Sequence, residues 1–495
     1  MHRMIGTIAA LCALTALSGA HAATDDGTQL RTQVTHNYPS LRYVERYRHD
    51  FPEEIEGNAF WSMDAAIPPL GDAHALTRTL TALQDQHVAL VGAKAGKSET
   101  LGVLFRTASD GSVIIWRIFD TTAITGSVAE GEQVLAIDGQ DARPWLQRIA
   151  TLTFGGQRRG RYAEAATELG LATPVVHRVA GLGNAVTLRL QDAKNQTKTV
   201  TLHYKPVDAA SAKSMTAAIN RSDLPQHFTA EGLRIGTLRL GAFAPQYDDA
   251  FVTASDTASK QAGATDDTAM VAGYCAVVRN FIREADAAAR DADVLVLDLR
   301  GNLGGFDREA WLLADALGTK RSLATFDLFA STGTGTVQLT KERTDPSCGH
   351  ITSRLPLVVL TDAGTRSAGE FMATWLWASG ASVVGERTVG AGGGFEFNSE
   401  PAAPLPGSGY AVRLSGNFSV FDPTGTLTDG KHAEDALIEM LAQDHFAPSR
   451  IHPFAIQSAG LRPDLALSTT LADLHDGGQA SLVKVLAQLK VKHLH

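Results

Sequence analysis

The pattern of apolar and polar positions differs between the two halves of the chain. In the C-terminal half, short β-branched apolar runs alternate with runs in which apolar residues recur every three or four positions, as in a helix. "PLVVLTD" (356–362) predicts a buried strand, and the following "GEFMATWLWA" (369–378) predicts a helix. Such alternation predicts a βαβ-layered domain, which we place at residues 233–495.

The N-terminal half has two other patterns. Residues 23–95 predict a helical segment, because "HALTRTLTALQDQH" places Leu76, Leu80 and Leu83 on one helical face. Residues 96–207 predict a small β-rich module, interrupted by a helical insert and containing the tight-turn signal "DG" within "GEQVLAIDG". Residues 208–232 are polar and alanine-rich, and they predict a linker. The fold class is therefore α/β (α+β) with several domains.

The first 22 residues have the layout of a signal peptide. A basic start at Arg3 precedes an apolar stretch from Ile5 to Leu17, and an A-x-A site ends at Ala22. The apolar stretch is too short to span a bilayer. We therefore predict an exported protein, periplasmic or secreted, with no membrane span in the mature chain.

Composition narrows the classes of partner. The chain has 495 residues, of which 44% are hydrophobic and 20% charged, which is ordinary for a globular protein. The formal charge is −9 without a long basic run, which argues against a nucleic-acid partner. No cysteine–histidine spacing suggests zinc, and we predict neither a metal nor a cofactor.

Two cysteines remain after the signal peptide, Cys275 and Cys348. An oxidising compartment makes a disulfide between them plausible. Two free buried thiols are the alternative.

Ser367 occupies a distinctive place in "TDAGTRSAGE". It falls between the predicted strand and the predicted helix, where helix N-terminal amides stabilise negative charge. The position suits a nucleophile, because such turns expose a serine hydroxyl. A serine there can also be a simple N-cap, which is the commoner role.

Four motifs in order resemble those of one family. "LVLDLRGNLGG", "TDAGTRSAGEF", "VVGERTVGAG" and "GLRPDLAL" are similar to motifs of the carboxyl-terminal processing (tail-specific) serine peptidases and the tricorn core protease. The β-rich module resembles their PDZ-like domain. The resemblance covers most of residues 80–490 and implies a core of the tail-specific protease and crotonase-like type.

The resemblance implies a role for several residues. Ser367 matches the nucleophile of the "SAGE"-type motif. The backbone amides of Ala368 and Gly304 match the oxyanion hole, where glycine permits close approach. Glycines following "GERT" predict contacts with the substrate backbone, at Gly390, Gly392 and Gly393.

The base that activates the serine differs between branches of the family. One branch has a lysine in a "GKG" context, where this chain has Ala391. The tricorn-like branch has a histidine in a "DxHxxL"-like element, which "LQDQHVAL" matches with Asp85, His87 and Leu90. We therefore predict His87 as the general base.

The group that orients the base is left open between two residues. The tricorn-like branch has a glutamate in an "IENxGVxPD"-like segment, and "IQSAGLRPD" has Gln457 there. A glutamine oxygen can accept a hydrogen bond from imidazole but cannot balance its charge. Glu434, in "DGKHAEDALIE", is the alternative, although helical spacing also suits it to a solvated face.

These observations predict an exported serine endopeptidase that cleaves peptides or proteins through an acyl-enzyme. The alternative is a catalytically weak or inactive protein of the same fold that binds peptides or hydrophobic ligands, or acts as a scaffold. Gln457 favours the alternative, whereas the intact "TRSAG" and "DQH" favour the peptidase.

Overall fold

The computed structural model describes residues 26–39, 41–52, 73–91, 97–125, 127–261, 263, 265–319, 323–330, 335–342, 345–394 and 404–493. The predicted signal peptide lies outside these ranges. Among the described helices, none combines the length and apolar character needed to cross a bilayer.

Three helices come first: α1 (26–37), α2 (Leu41–Asp50) and α3 (Ala73–Thr81). The predicted apolar face of α3 is buried, with Leu76 and Leu80 both at 0% exposure. A short loop then leads into strand β1 (Ala89–Val91), which pairs antiparallel with β20 (Ala411–Arg413) near the other end of the chain. This pairing fixes the loop that carries His87.

A β-rich module follows. Its main sheet has the order β3-β4-β6-β9-β10-β5, with β7 paired to β6, and a second small sheet has the order β11-β2-β8. Helices α4 and α5 cover the main sheet through Trp145, Leu146 and Leu169. The elements are β2 (Glu99–Thr100), β3 (Val103–Thr107), β4 (Val113–Ile118), β5 (Ile124–Thr125), β6 (Gln133–Ile137), β7 (Gln140–Asp141), α4 (Ala142–Ala150), α5 (Arg158–Gly170), β8 (Leu171–Ala172), α6 (Pro174–Val179), β9 (Ala185–Gln191), β10 (Thr197–His203) and β11 (Lys205–Pro206).

A parallel sheet forms the centre of the C-terminal half. Its order is β12-β13-β14-β17-β18-β24, and every pair from β13 onward is parallel. Helices cover both faces, which explains the continuous apolar runs of its strands. The elements are α7 (Ala209–Asn220), β12 (His227–Ala230), β13 (Leu233–Arg239), α8 (Asp249–Ser259), α9 (Asp266–Ala289), β14 (Val294–Asp298), α10 (Asp307–Ala316), β17 (Leu357–Thr361), α11 (Ala368–Ala378), β18 (Ser382–Gly385), β24 (Leu465–Ala466), α14 (Leu471–Asp476) and α15 (Gln479–His493).

An antiparallel sheet packs beside it, in the order β19-β21-β15-β16-β22 with β23 paired to β21. Tyr43 and Tyr47 of α2 pack on this sheet, so the N-terminal helices are joined to the C-terminal half. The elements are β15 (Ala324–Ala330), β16 (Thr336–Lys341), β19 (Gly393–Gly394), β21 (Asn417–Asp422), β22 (Gly430–Ala433), α12 (Glu434–Leu441), α13 (Gln443–Phe446) and β23 (Phe454–Ala455).

The mixed α/β, multidomain fold class is confirmed. The predicted linker, 208–232, needs correction, because it contains helix α7 and strand β12. Alanine has the highest helix propensity, and Asp208 caps α7 by accepting a hydrogen bond from the Ser211 amide at 2.7 Å.

Cys275 on α9 and Cys348 form a disulfide in the structure, 73 positions apart in the chain.

Replacing both cysteines by serine should lower the free energy of unfolding by about 2–4 kcal/mol, because the unfolded chain loses a constraint on a long loop. Urea unfolding of the oxidised protein and the double variant measures this difference. Reduced wild type should match the variant; equal midpoints for all three proteins would contradict the prediction.

Candidate active site

Ser367 sits on a strained turn between β17 and α11. Its backbone angles are φ 51° and ψ −128°, a conformation that non-glycine residues rarely adopt. Such strain is a feature of functional turns and must be offset by the surrounding packing. The turn lifts the Ser367 hydroxyl out of the sheet at the start of helix α11.

His87 lies against this hydroxyl, although 280 positions separate the two residues in the chain. Its Nε2 atom is 3.1 Å from Ser367 Oγ, within hydrogen-bonding distance. The other ring nitrogen, Nδ1, lies 3.4 Å from Asp85 Oδ1, and the His87 backbone amide donates to the same oxygen at 2.8 Å. The imidazole of His87 therefore contacts the Ser367 hydroxyl on one side and the Asp85 carboxylate on the other.

Asp85 is fully buried, and its carboxylate is held from several sides. Oδ2 accepts hydrogen bonds from the Tyr38 hydroxyl at 2.9 Å and the Ser415 hydroxyl at 2.6 Å. Burial alone would raise the Asp85 pKa, but hydrogen bonds and charge interaction with His87, with help from Ser415, bring that pKa below its ordinary value. Asp85 is therefore an ionised and rigidly held partner for the imidazole.

Neither residue predicted to orient His87 does so in this structure. Gln457 is fully buried, but its side-chain nitrogen and oxygen have no hydrogen-bond partner within the described part of the chain. Glu434 begins helix α12, where burial raises its pKa and Arg42 and Glu45 of α2 are among its charged neighbours. Asp85 is part of the "DxHxxL"-like motif, but the motif alone did not predict a role for it. Its position two residues before His87 is the feature of the sequence that could have indicated one.

The glycine turn after β14 presses against the Ser367 turn. A Cβ atom on Gly304 would lie 2.7 Å from the Ser367 Cβ, so only glycine fits there. Asn302, which is fully buried, ties the region together. Its backbone oxygen accepts from the Arg366 amide at 3.1 Å, and its side chain donates to Leu240 O at 2.9 Å. Sequence reasoning did not single out Asn302.

The two backbone amides predicted to form the oxyanion hole differ in their hydrogen bonding. Ala368 is the first residue of helix α11, where an amide has no intrahelical acceptor. The Gly304 amide donates at 2.7 Å to the side-chain oxygen of Asn302. In this conformation the Gly304 donor is engaged by the protein, so the oxyanion hole stays a prediction.

Glu370 is buried beneath the Ser367 turn and accepts four hydrogen bonds. One oxygen accepts from the Ser367 amide at 3.1 Å and the Ala391 amide at 2.8 Å. The other accepts from the Gly390 amide at 2.7 Å and the Thr388 hydroxyl. Burial raises the Glu370 pKa, against the lowering effect of these donors. Glu370 thereby joins the nucleophile turn to the 388–391 segment.

The structure gives a packing role to the glycines of segment 390–393, and their contact with substrate stays a prediction. Gly390, Gly392 and Gly393 are buried. A Cβ on Gly392 would lie 2.7 Å from the backbone nitrogen of Gln457, and one on Gly393 would lie 3.0 Å from an Asp85 carboxylate oxygen. The absence of side chains on these glycines allows the backbone to pass between Gln457 and Asp85. This close packing is sufficient to account for several glycines in the segment.

Asp307 lies close to His87 at the start of α10. Desolvation by neighbouring atoms raises the pKa of the Asp307 carboxyl group, interaction with His87 opposes this rise, and Asp327 adds to it. Sequence reasoning did not identify this carboxyl group. Elsewhere in the described ranges, no group of three or more His, Cys, Asp or Glu side chains is arranged to hold a metal ion.

The comparison with protein families decides the class of this domain. The model for peptidase family S41 matches residues 268–417, which include both the glycine turn and Ser367. The chain carries an S41 peptidase domain. Peptide-bond hydrolysis is therefore the class of activity that the domain supports.

Solved structures show where else the fold of this chain occurs. Mature CPAF complexed with lactacystin is 15% identical with a TM-score of 0.59, and the match covers 96% of this chain and 99% of that chain. Mature CPAF is 14% identical with a TM-score of 0.57, covering 94% and 96%. No curated protein sequence matches the chain. At these identities the structural matches show the fold.

Asp85→Asn should lower kcat/KM for peptide cleavage by about 10²–10⁴-fold, because an amide favours the wrong imidazole tautomer and removes the negative charge beside His87. Cleavage of a fluorogenic peptide measures the loss, and circular dichroism checks that the fold is retained.

Gln457→Met is the matched control. It removes an unpartnered buried amide at similar volume, so cleavage should stay within about threefold of wild type and stability should not fall. A variant at Gln457 that loses as much activity as Asp85→Asn would show instead that Gln457 orients the base.

Proposed function

We propose that this protein is an exported serine endopeptidase with Ser367 as nucleophile, His87 as general base and Asp85 as the residue that orients His87. The observation that carries the proposal is the 3.1 Å contact between Ser367 Oγ and His87 Nε2 on a strained turn at a helix start. The S41 domain supports the peptidase class. The signal-peptide pattern supports export, and a disulfide suits an oxidising compartment.

The proposed reaction has two steps. His87 Nε2 takes the hydroxyl proton as Ser367 Oγ forms a bond to the peptide carbonyl carbon, and the carbon–nitrogen bond then breaks as the amine leaves with that proton. Water attacks the acyl-enzyme with His87 again as base, releasing the acid. The Ala368 amide faces the oxyanion, and the Gly304 amide joins it by exchanging Asn302 for the substrate oxygen.

A second candidate is a protein of the same fold that binds peptides or hydrophobic ligands without cleaving them. Two observations favour it: the Gly304 amide is engaged by Asn302 at 2.7 Å, and Gln457 replaces the carboxylate of the related motif. Labelling by a fluorophosphonate separates the two functions, because the probe reacts only with an activated serine.

Ser367→Ala should abolish both fluorophosphonate labelling and peptide cleavage, since the variant has no nucleophile. Ser214→Ala, on the exposed face of α7, is the matched control and should keep both activities. His87→Ala should lose nearly as much as Ser367→Ala, because nucleophile and base act as a unit. Cleavage by Ser367→Ala at the wild-type rate would refute the nucleophile assignment.

The pH profile of kcat/KM separates the two kinds of base, because histidine side chains in general change charge between about pH 5 and 8 and lysine side chains near pH 10. We expect a profile of the histidine kind. The pKa of Asp85 lies below its ordinary value, so Asp85 stays ionised throughout this range. Its titration therefore does not change the rate between these pH values. A rate that continues to climb to about pH 10 would indicate a lysine base. The prediction rests on Ala391 filling the position of the related lysine.

A further inference from the structure

A basic cleft lies between helices α4 and α5 of the β-rich module. It has a volume of about 620 Å³ and is closed on one side by the turn between β3 and β4. This size falls within the range of ligand-binding clefts in proteins. Four arginines line it, one from α4 and three from the first turn of α5: Arg143, Arg158, Arg159 and Arg161.

The arrangement of charge in the cleft favours an anion. The residues that line it include no aspartate or glutamate. Asp110 stands on the β3–β4 turn, where its carboxylate accepts the Ser112 amide at 2.8 Å. The first turn of α5 carries three positive side chains at the positive end of the helix dipole, so these charges repel the dipole. Acidic residues are more common at that position of a helix. An incoming carboxylate would relieve this repulsion.

The four arginines have different surroundings. Arg159 is half-buried, and its Nε lies 3.3 Å from Glu386 Oε2. Arg161 is 3% exposed, and Glu164 is near enough for Arg161 to lower that carboxyl's pKa. Arg143 and Arg158 are exposed at the mouth. The inner arginines have carboxylates beside them, and Arg143 and Arg158 are the exposed members of the set.

The wall of the cleft is attached to the candidate active site. The Gln157 amide donates to Val389 O at 3.1 Å, and its side chain donates to Thr388 O at 3.2 Å. Thr388 belongs to the segment that bonds Glu370 beneath Ser367. Arg159 also lines a smaller cavity of about 30 Å³ whose wall includes Gly301 and Ala363 from the two turns of the site.

We propose that this cleft is an exosite that binds an acidic segment of a protein substrate, away from the peptide bond that is cleaved; the proposal rests on the peptidase function proposed above. Arginine pairs with carboxylates through two parallel hydrogen bonds, and two exposed arginines at one mouth fit an extended chain with repeated Asp or Glu. The peptidase domain favours a polypeptide over a nucleic acid as the source of the negative charge.

The exosite should act on binding and not on the chemical step. The substrates are built from a peptide that the protein cleaves. An acidic extension of alternating Glu and Gly is added to its N-terminal side in one substrate and to its C-terminal side in another. Two neutral substrates carry alternating Gln and Gly at the same places. We expect the acidic extension to lower KM by about tenfold at low salt with little change in kcat, and the advantage to shrink at ~0.5 M salt.

Charge reversal at the mouth tests the location. In Arg143→Glu/Arg158→Glu, the ratio of kcat/KM between acidic and neutral substrates should fall to about one or below. Arg189→Glu, an exposed arginine on β9 of the same module, is the matched control and should keep the ratio. Equal KM values for both substrates in wild type, or a ratio lost equally in Arg189→Glu, would overturn the exosite.

A binding measurement separates this proposal from the peptidase function. Fluorescence anisotropy with the Ser367→Ala protein and a labelled Glu–Gly peptide requires no catalysis. We expect the Ser367→Ala protein to bind this peptide. Adding Arg143→Glu and Arg158→Glu to that protein should weaken binding by about tenfold or more. No binding by the peptide would refute the exosite even if wild type cleaves peptides. Tighter binding by a labelled oligouridine of equal length would refute the acidic-peptide assignment.

Discussion

The site depends on one constraint, the close approach of two turns that follow neighbouring parallel strands. Asp298 at the end of β14 is level with Leu360 near the end of β17, so the turns after them meet at the same edge of the sheet. Gly304 is the point of contact, where no larger residue fits beneath Ser367. Asn302 bonds both turns at once, and this fixed packing offsets the strained backbone of Ser367.

The base reaches this pair of turns by a separate route. The pairing of β1 with β20, which begins at Ala89 and Arg413, brings the loop that carries His87 near the segment that carries Ser415. Ser415 then bonds Asp85, which holds the His87 loop from behind. A buried carboxylate is costly unless it is well bonded, and Asp85 meets that condition with donors from three segments of the chain. Gln457, fully buried beside the glycines, has no such set of partners.

Sequence reasoning works where the information is local and fails where distant segments meet. The apolar periodicity that predicts strand 357–361 and the following helix is local, and it fixes Ser367 at their junction. The partner of His87 depends on β1, β20 and α1 packing together, which no single stretch encodes. Gly390, Gly392 and Gly393 show the same limit, since a glycine permits close approach to a substrate or to the protein itself. The alanine-rich segment 208–232 misled because low hydrophobicity predicts a linker while its helix propensity is high.

The β-rich module and the nucleophile turn are linked through a shared carboxylate. Asp362 Oδ1 accepts the Gly301 amide at 2.7 Å and the Gly364 amide at 3.0 Å, so it holds both turns. Its other oxygen accepts Arg106 of strand β3 at 2.8 Å. Burial would raise the Asp362 pKa, but Arg106 and the amides lower it below its ordinary value. Without Arg106 the carboxylate would be buried without its counter-charge, and the geometry of both turns would suffer. The Arg106–Asp362 pair therefore joins the β-rich module directly to the two turns that carry Gly304 and Ser367.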